Sequence, residues 1–457
     1  MSKFATIMID NKYFQRLRYI SQLGTCKYVY PNASHTRFEH SIGTYYLSKK
    51  LLKHLTYQSE EEIETFMSSI PELSEYYAKS YNGQKYPFDM YICELINISA
   101  LCHDLGHGPF SHIFDDFILI SPKLNENSCV THEERSCKIL RLIIKNNPIL
   151  NELIGDGEIQ FMINCINPQK HHVEFVYQIV SNNITSLDVD KFDYLQRDIY
   201  MTNFNSKVDV SVLIEQTKII NNNFVYSEQS INNIVNLFTT RHRLHSTLYC
   251  HKSTISIQLM IVEIFELLDD ILNITESVND MDQFINLTDE YILNSINIFD
   301  TYKHFFTELQ QKNIIKAKDL IDKIKSRQIY PLVYSIISKN KIDITNLFSH
   351  FDDNDDILCF QNKIGYVGGD KPNPLDCLHV YKTKYDNVST LFKSHKLNKK
   401  QISGLISNTY QEYILKIYYK DKNNKKRINE LEKYCNEIFE SNSINELFES
   451  NCTNCIN

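Results

Sequence analysis

The chain has no tryptophan, only 11 glycines and 10 prolines, and no uninterrupted run of about 18 apolar residues. The last absence excludes an obvious membrane-spanning helix, since the best candidate, Ile255 to Leu268, is interrupted by Gln258, Glu263 and Glu266. The first ten residues carry one lysine and no long apolar stretch, so no secretory signal is expected. There is no excess of positive charge either: the net charge is −8, which argues against a general nucleic-acid coat while leaving room for a small basic pocket. The twelve cysteines show no framework spacing, which predicts reduced thiols in an intracellular compartment, with cytoplasm and nucleus both open. Cys452 and Cys455 form one CxxC, only half of a tetrahedral zinc site, and read as part of a polar tail.

What is present is globular. Of 457 residues, 42% are hydrophobic and 23% charged, enough for a large core with additions. Helical periodicity dominates the first part. It predicts helices over Asn11–Leu23, Phe38–Leu55, Met90–Asp104, Phe110–Ile118, Asp188–Thr202 and one long helix from Ser230 to Ile271. Thr131 and Glu134 have capping-box form and open a helix running to about Lys145. After about Asp300 the character changes. A helix is expected over Lys316–Lys325, an acidic loop at Asp352–Asp356 and a Gly/Pro turn region at Gly368–Pro374. Strands are expected at Cys377–Thr383 and Tyr413–Tyr419, then a helix over Lys425–Phe439. The expected fold is mainly α: a helical core over 1–295 and a smaller mixed α/β C-terminal lobe over 296–457.

The chemistry concentrates in Ala100-Leu-Cys-His103-Asp104-Leu-Gly-His107-Gly-Pro-Phe-Ser-His112-Ile-Phe-Asp115. An adjacent His and Asp at a helix end can both face one ion, and imidazole with carboxylate suits Mn, Fe, Zn or Mg. Two further ligands are available: His40, in Arg37-Phe-Glu-His40, and Asp190, in Leu187-Asp-Val-Asp190-Lys. Each histidine alone reads as a hydrogen-bonded core or surface residue. The dispersed H…HD…D pattern as a set defines the HD superfamily and makes His40, His103, Asp104 and Asp190 the candidate metal ligands. A divalent ion in such a site lowers the pKa of a bound water toward about 7 and polarises a phosphoryl oxygen. His132, Asp115 and His107 are the acid–base candidates by residue type.

These blocks, together with Phe14-Gln-Arg-Leu-Arg18-Tyr-Ile-Ser-Gln22-Leu23 and Asp188-Val-Asp-Lys-Phe-Asp-Tyr-Leu-Gln-Arg-Asp198, resemble the deoxynucleoside-triphosphate triphosphohydrolases. Within that family they resemble most the vertebrate members that add a sterile-alpha-motif domain. The likeness runs from about Ile9 to Ile255 and again from Asn373 to Asp421. It implies a dNTP substrate, water attack on the α-phosphorus, and release of deoxynucleoside and tripolyphosphate. It implies that Gln22 and Asp198 hold the 3′-hydroxyl, and that Arg37, His107, His112, Lys191 and Arg241 surround the phosphates. Tyr194 and Tyr249 would pack on the sugar, Leu23 near the base, and His245 between Arg241 and Tyr249. The spacings agree: Arg241, His245 and Tyr249 are i, i+4, i+8, and Lys191, Tyr194 and Asp198 are i, i+3, i+7. Taken alone, either set reads as a solvated helix face.

The resemblance further implies one resident divalent metal, a second Mg travelling with the nucleotide, a homodimer or higher homo-oligomer, and a GTP or dNTP activator. Asp10, Gln15, Arg18, Asn233 and Lys252 match activator contacts. Ser227 and Gln229 stand where the family has basic residues, and no arginine is found near Val388. Fewer cations point to activity without nucleotide-driven tetramerisation. Three other functions compete: an HD nucleotidase or phosphodiesterase, a catalytically idle nucleotide sensor, and a single-strand nucleic-acid binder. The acidic balance and lack of an aromatic-basic patch disfavour the last.

Overall fold

The structure is a computed structural model and describes residues 1–56, 60–124, 128–368, 371–382, 394–398 and 409–440. Thr383, Val388, Cys452 and Cys455 lie outside the described residues. The fold is mainly α with a smaller sheet-containing C-terminal part, as the periodicity predicts.

Three helices build the centre. Met90–Cys102 is capped by the Asp89 side chain, which accepts from the Ile92 amide at 3.0 Å. Nearly every residue from Leu95 onward is buried, as expected of a helix apolar on all sides. The helix Arg37–Thr56 packs along it, and Val189–Thr202 packs on Arg37–Thr56 in turn. The capping box at Thr131 forms in both directions and starts the helix His132–Asn146. One continuous core joins residues from Ala5 to Tyr418, and a second cluster, including Leu415, Ile417, Leu431 and Cys435, sits under the helix Lys425–Glu440.

The strands form two small sheets. In the first, β1 (Thr217–Ile220) and β2 (Asn223–Ser227) make an antiparallel hairpin. Asn221 and Asn222 turn it with φ of 51° and 59°, the left-handed pair that a two-residue hairpin requires. The second sheet comes from the C-terminal part: β3 (Leu332–Ser338) and β4 (Ile357–Gly365) flank β7 (Gln411–Tyr419), all antiparallel. Between them, β5 (His379–Tyr381) pairs in parallel with β2, and β6 (Ser394–Lys396) pairs with β5. The first sheet therefore joins strands from both halves of the chain.

Two expected helices are broken. Asn11–Leu23 is a short α-helix, Lys12–Gln15, followed by a 3₁₀ turn, Arg16–Tyr19. Ile20 is extended there because its carbonyl accepts from the Arg37 amide (3.0 Å) while the Gln22 amide donates to the His35 carbonyl (3.1 Å). The expected helix from Ser230 to Ile271 is two: Ile231–Leu244 passes through a π turn, His245–Tyr249, and a second helix starts at Lys252, capped by the His251 side chain. The expected strand at Cys377–Thr383 is His379–Tyr381. β1 to β4 and β6 were not anticipated, and the acidic loop holds a 3₁₀ turn at Asn354–Asp356. All ten described cysteines are free thiols, and among the described residues no helix is long and apolar enough to cross a membrane.

Candidate active site

Four side chains from three helices converge at the centre. His40 lies in the first turn of Arg37–Thr56, His103 caps the end of Met90–Cys102 with Asp104 following, and Asp190 lies in the first turn of Val189–Thr202. His40 Nε2 is 3.1 Å from Asp190 Oδ1, 3.4 Å from Asp104 Oδ2 and 3.3 Å from His103 Nε2. His103 Nε2 is 3.3 Å from Asp104 Oδ1 and 3.5 Å from Asp190 Oδ1.

The outer ring nitrogens are occupied elsewhere. His40 Nδ1 donates to Asp193 Oδ2 and His103 Nδ1 to the Ala100 carbonyl, both at 2.8 Å. Each Nε2 is thereby the lone-pair atom, and the two face each other across carboxylate oxygens. This donor set fits a divalent cation, with an outer carboxylate and an outer carbonyl fixing the tautomers. The electrostatics agree. Burial would lower the His40 imidazole, but hydrogen bonds to Asp190 and Asp193 and the Asp104 charge outweigh it and raise it to about 10. Burial would raise Asp104, yet Arg37, His103 and His107 hold it well below the usual carboxylate range. The pocket demands positive charge, and a divalent ion supplies it.

Beside this centre is a second cluster. Asp115 Oδ2 accepts from His132 Nδ1 at 2.9 Å, while Arg135 grips the other Asp115 oxygen. The His132 ring stacks on His107, centroids 3.9 Å apart, and His107 Nε2 is 3.3 Å from Asp104 Oδ1. Burial pulls the His132 imidazole down, but Asp115 and Glu133 more than reverse it, so its pKa is raised. Burial, Arg37 and His132 hold His107 well below the ordinary histidine value. The stacked pair is thus shifted in opposite directions, His132 toward the protonated form and His107 toward the neutral one. His112 stands exposed at the rim.

A cleft of about 660 Å³ opens in front, a size suited to a nucleotide. Every substrate candidate named above lines it, whereas His40 and Asp115 sit behind its wall. At one end, Asp198 accepts from His35 Nε2 (2.8 Å) and from the Tyr249 hydroxyl (2.6 Å), beside a buried Gln22 Oε1 that has no partner. The π turn adds a residue to the helix yet leaves Tyr249 within reach of Asp198. At the other end lie Lys191, whose ammonium donates to Asp188 (3.1 Å), and Arg241, whose Nε donates to the Tyr194 hydroxyl (3.1 Å). Arg37 donates to Asp104 Oδ2 (2.7 Å) and Ser111 Oγ (2.9 Å), which ties the cleft to the ion-type cluster. The His245 ring is half-buried in the wall, with its Nδ1 buried and unpartnered among the described residues.

The activator candidates lie elsewhere, and none lines the cleft. Asp10 ends the first helix, Gln15 donates to the Ile9 carbonyl (2.7 Å), and Arg18 donates to Gln15 (2.9 Å) while covering the Phe38 ring. Asn233 and Lys252 stand near the starts of successive helices. Sequence reasoning missed His35, Asp193, Arg135 and Lys371, of which Lys371 also lines the cleft. The first three had a signal, since each lies within five residues of an assigned residue, Arg37, Asp190 or His132. Lys371 had none.

Comparison with known proteins agrees with this geometry. Residues 37–198 match the HD domain family. A protein of Acanthamoeba polyphaga mimivirus described as HD domain-containing is 37% identical, over 92% of this chain and 90% of its own length. The Dictyostelium discoideum protein named deoxynucleoside triphosphate triphosphohydrolase SAMHD1 homolog is 34% identical, over 91% of this chain and 74% of its own. The Homo sapiens deoxynucleoside triphosphate triphosphohydrolase SAMHD1 is 28% identical, over 90% of this chain and 67% of its own.

Proposed function

Since the chain belongs to the SAMHD1 family of HD-type phosphohydrolases, we propose that it hydrolyses deoxynucleoside triphosphates to deoxynucleoside and tripolyphosphate in the cleft between Asp198 and Arg241. The observation that carries this reading is one cleft holding three things: an ion-type His/Asp cluster, cations for a polyphosphate, and a carboxylate–tyrosine pair for a sugar. Residues 1–295 are the hydrolase core and 296–457 the lobe that closes it.

His40, His103, Asp104 and Asp190 would hold the divalent ion, and when bound it supplies Lewis acidity toward water and a phosphoryl oxygen. The protein does the rest. Asp198 and Gln22 take the sugar hydroxyl: an Asp198 oxygen, each of which keeps a free lone pair, accepts its proton, and the Gln22 amide nitrogen donates to its oxygen. Tyr249, kept protonated by burial and by Asp198, stands at the sugar edge. Lys191, Arg37 and Arg241 fix the phosphates, where fixed cations in a desolvated cleft stabilise developing charge. Water adds at the α-phosphorus and passes a proton to neutral His107, whose Nδ1 is unpartnered among the described residues, the bond to the 5′-oxygen breaks, and that oxygen takes a proton. His132, held protonated by Asp115, is the donor, with His107 stacked beside it as the neutral partner.

The experiment is to incubate the purified protein with Mn or Mg and each dNTP, without GTP, and to separate the products. Deoxynucleoside plus tripolyphosphate is the expected pair. Diphosphate or monophosphate products would favour a different HD nucleotidase, and no turnover with or without GTP would favour a nucleotide sensor. Product formation without GTP also supports activity that needs no activator.

A pH profile tests the donor. Protonated His132 is the active form, so turnover falls as pH rises through its raised pKa. Asp115→Asn removes the charge that raises it, so the basic limb of kcat/KM moves to lower pH. An unmoved limb rules His132 out.

A further inference from the structure

The phosphate end of the cleft has a wall that the HD core does not supply. Gly365 ends β4, and its carbonyl accepts from Arg241 Nη1, while a Cβ on Gly368 would lie 3.8 Å from Arg241 Nη2. The backbone of the C-terminal lobe thus runs against the guanidinium. A few residues later the same segment brings Lys371 to the cleft lining, with its ammonium donating to Asn183 Oδ1 at 2.9 Å.

The hydrogen-bond partners of these cations decide the argument. Lys371 bonds to an amide oxygen, and Arg241 to a carbonyl and a phenol. Among the described residues neither bonds to a carboxylate. Lys191 does, through Asp188, but that carboxylate also caps its helix by accepting from the Lys191 amide (2.9 Å). Burial lowers the Lys371 ammonium, the charge of Lys191 and, more weakly, that of Arg241 act in the same direction, and the opposing charges of Asp188 and Glu133 do not cancel them. Three cations share one partly buried end of a cleft with only neutral direct partners for two of them. Such an arrangement is costly alone and becomes favourable when a polyanion enters.

We propose that Lys371 is a phosphate-binding residue of the cleft, brought in by the C-terminal lobe to meet the polyphosphate chain together with Lys191 and Arg241. The proposal rests on the nucleotide-hydrolase reading and adds to it: the lobe is a working wall of the site, and an anion of several phosphates is the guest it is charged for. Among the described residues, the partner Lys371 gives up on binding is the Asn183 amide oxygen, a weak one to exchange for a phosphate oxygen.

The test uses the full chain as wild type, Lys371→Gln and Lys371→Arg, titrated calorimetrically with inorganic tripolyphosphate and separately with a deoxynucleoside. Lys371→Gln is expected to weaken tripolyphosphate binding about tenfold, the loss of one charge-assisted hydrogen bond, and Lys371→Arg to retain most of it. Deoxynucleoside binding should be the same in all three. Equal tripolyphosphate affinity in wild type and Lys371→Gln overturns the proposal. So does a parallel loss of deoxynucleoside binding, which would mean that Lys371 merely seats the lobe. Because these titrations need no turnover, the two readings fail separately. A wild type that hydrolyses no dNTP but loses tripolyphosphate affinity in Lys371→Gln sinks the enzyme reading and keeps the phosphate site. A wild type that hydrolyses dNTP with a KM unchanged in Lys371→Gln does the reverse.

Discussion

Asp190→Ala lowers kcat by about a thousandfold or more and leaves a folded protein. The Asp190 carboxylate is the only one of the cluster that faces both Nε2 atoms without also being held by an arginine, since Asp104 is shared with Arg37. Its removal takes one of four ligands and half of the negative charge directed at the ion. Losing several kcal/mol of charge stabilisation in the transition state corresponds to about three powers of ten in rate. The fold should survive because the helix Val189–Thr202 is started by Asp188 and buried through Phe192 and Leu195, not through Asp190. Ion-linked stabilisation supplies a second readout: Mn should raise the melting temperature of the wild type and not that of the variant. Turnover within about tenfold of wild type would remove Asp190 from the ligand set. His103→Ala, acting on the other side of the same cluster, should behave alike.

Gly43→Ala is expected to lower stability and ion affinity together. Gly43 lies on the helix of His40, one turn on, where the helix Val189–Thr202 crosses it. A Cβ there would be 1.8 Å from Asp193 Oδ1 and 2.4 Å from Arg197 Nη2. Asp193 has little freedom to move, because it accepts from His40 Nδ1 and from two Arg197 nitrogens, all at 2.8 Å. Separating the helices or breaking the partly buried Asp193–Arg197 pair should cost about 2–3 kcal/mol. Displacing Asp193 also frees the His40 ring, so metal affinity should fall by about tenfold or more. Gly83 is the control: its φ is +65° and nothing lies within 4 Å of a Cβ there. Gly83→Ala should cost only about 1–2 kcal/mol of backbone strain, with metal affinity unchanged. If the two alanines gave the same metal affinity, the coupling from Gly43 through Asp193 to His40 would be absent.

The parts of this molecule written in local chemistry were readable without coordinates. Thr131 with Glu134, and the apolar run from Met90, announce their helices because caps and periodicity act over a few residues. The candidate ion ligands were readable because His-Asp adjacency and flanking glycines limit the alternatives. The break at His245–Cys250 was not, since those residues accept a helix as readily as a π turn, and one partner of the turn is distant in sequence, Asp198 holding Tyr249, while His251 recaps the chain locally. β3 is a short apolar run, which periodicity alone does not distinguish from a buried helix segment. The hairpin turn at Asn221-Asn222 was likewise not anticipated. Lys371 was invisible because its meaning lies in Arg241 and Lys191, far along the chain and adjacent only after folding.

The parallel pairing of Tyr226 with Val380 and of Ser227 with Tyr381 sets a schedule for synthesis. The edge of β2 is made early, and its partner emerges from the ribosome only after the intervening chain, on the order of ten seconds or more at usual elongation rates. During that interval the nascent hairpin presents an open strand edge, the feature most apt to recruit a wrong neighbour. The same edge stays open in any chain cut between the two strands. Expression yield, and the aggregation of fragments that end before β5, are therefore governed by the order in which the strands are born, not by the strength of the finished core.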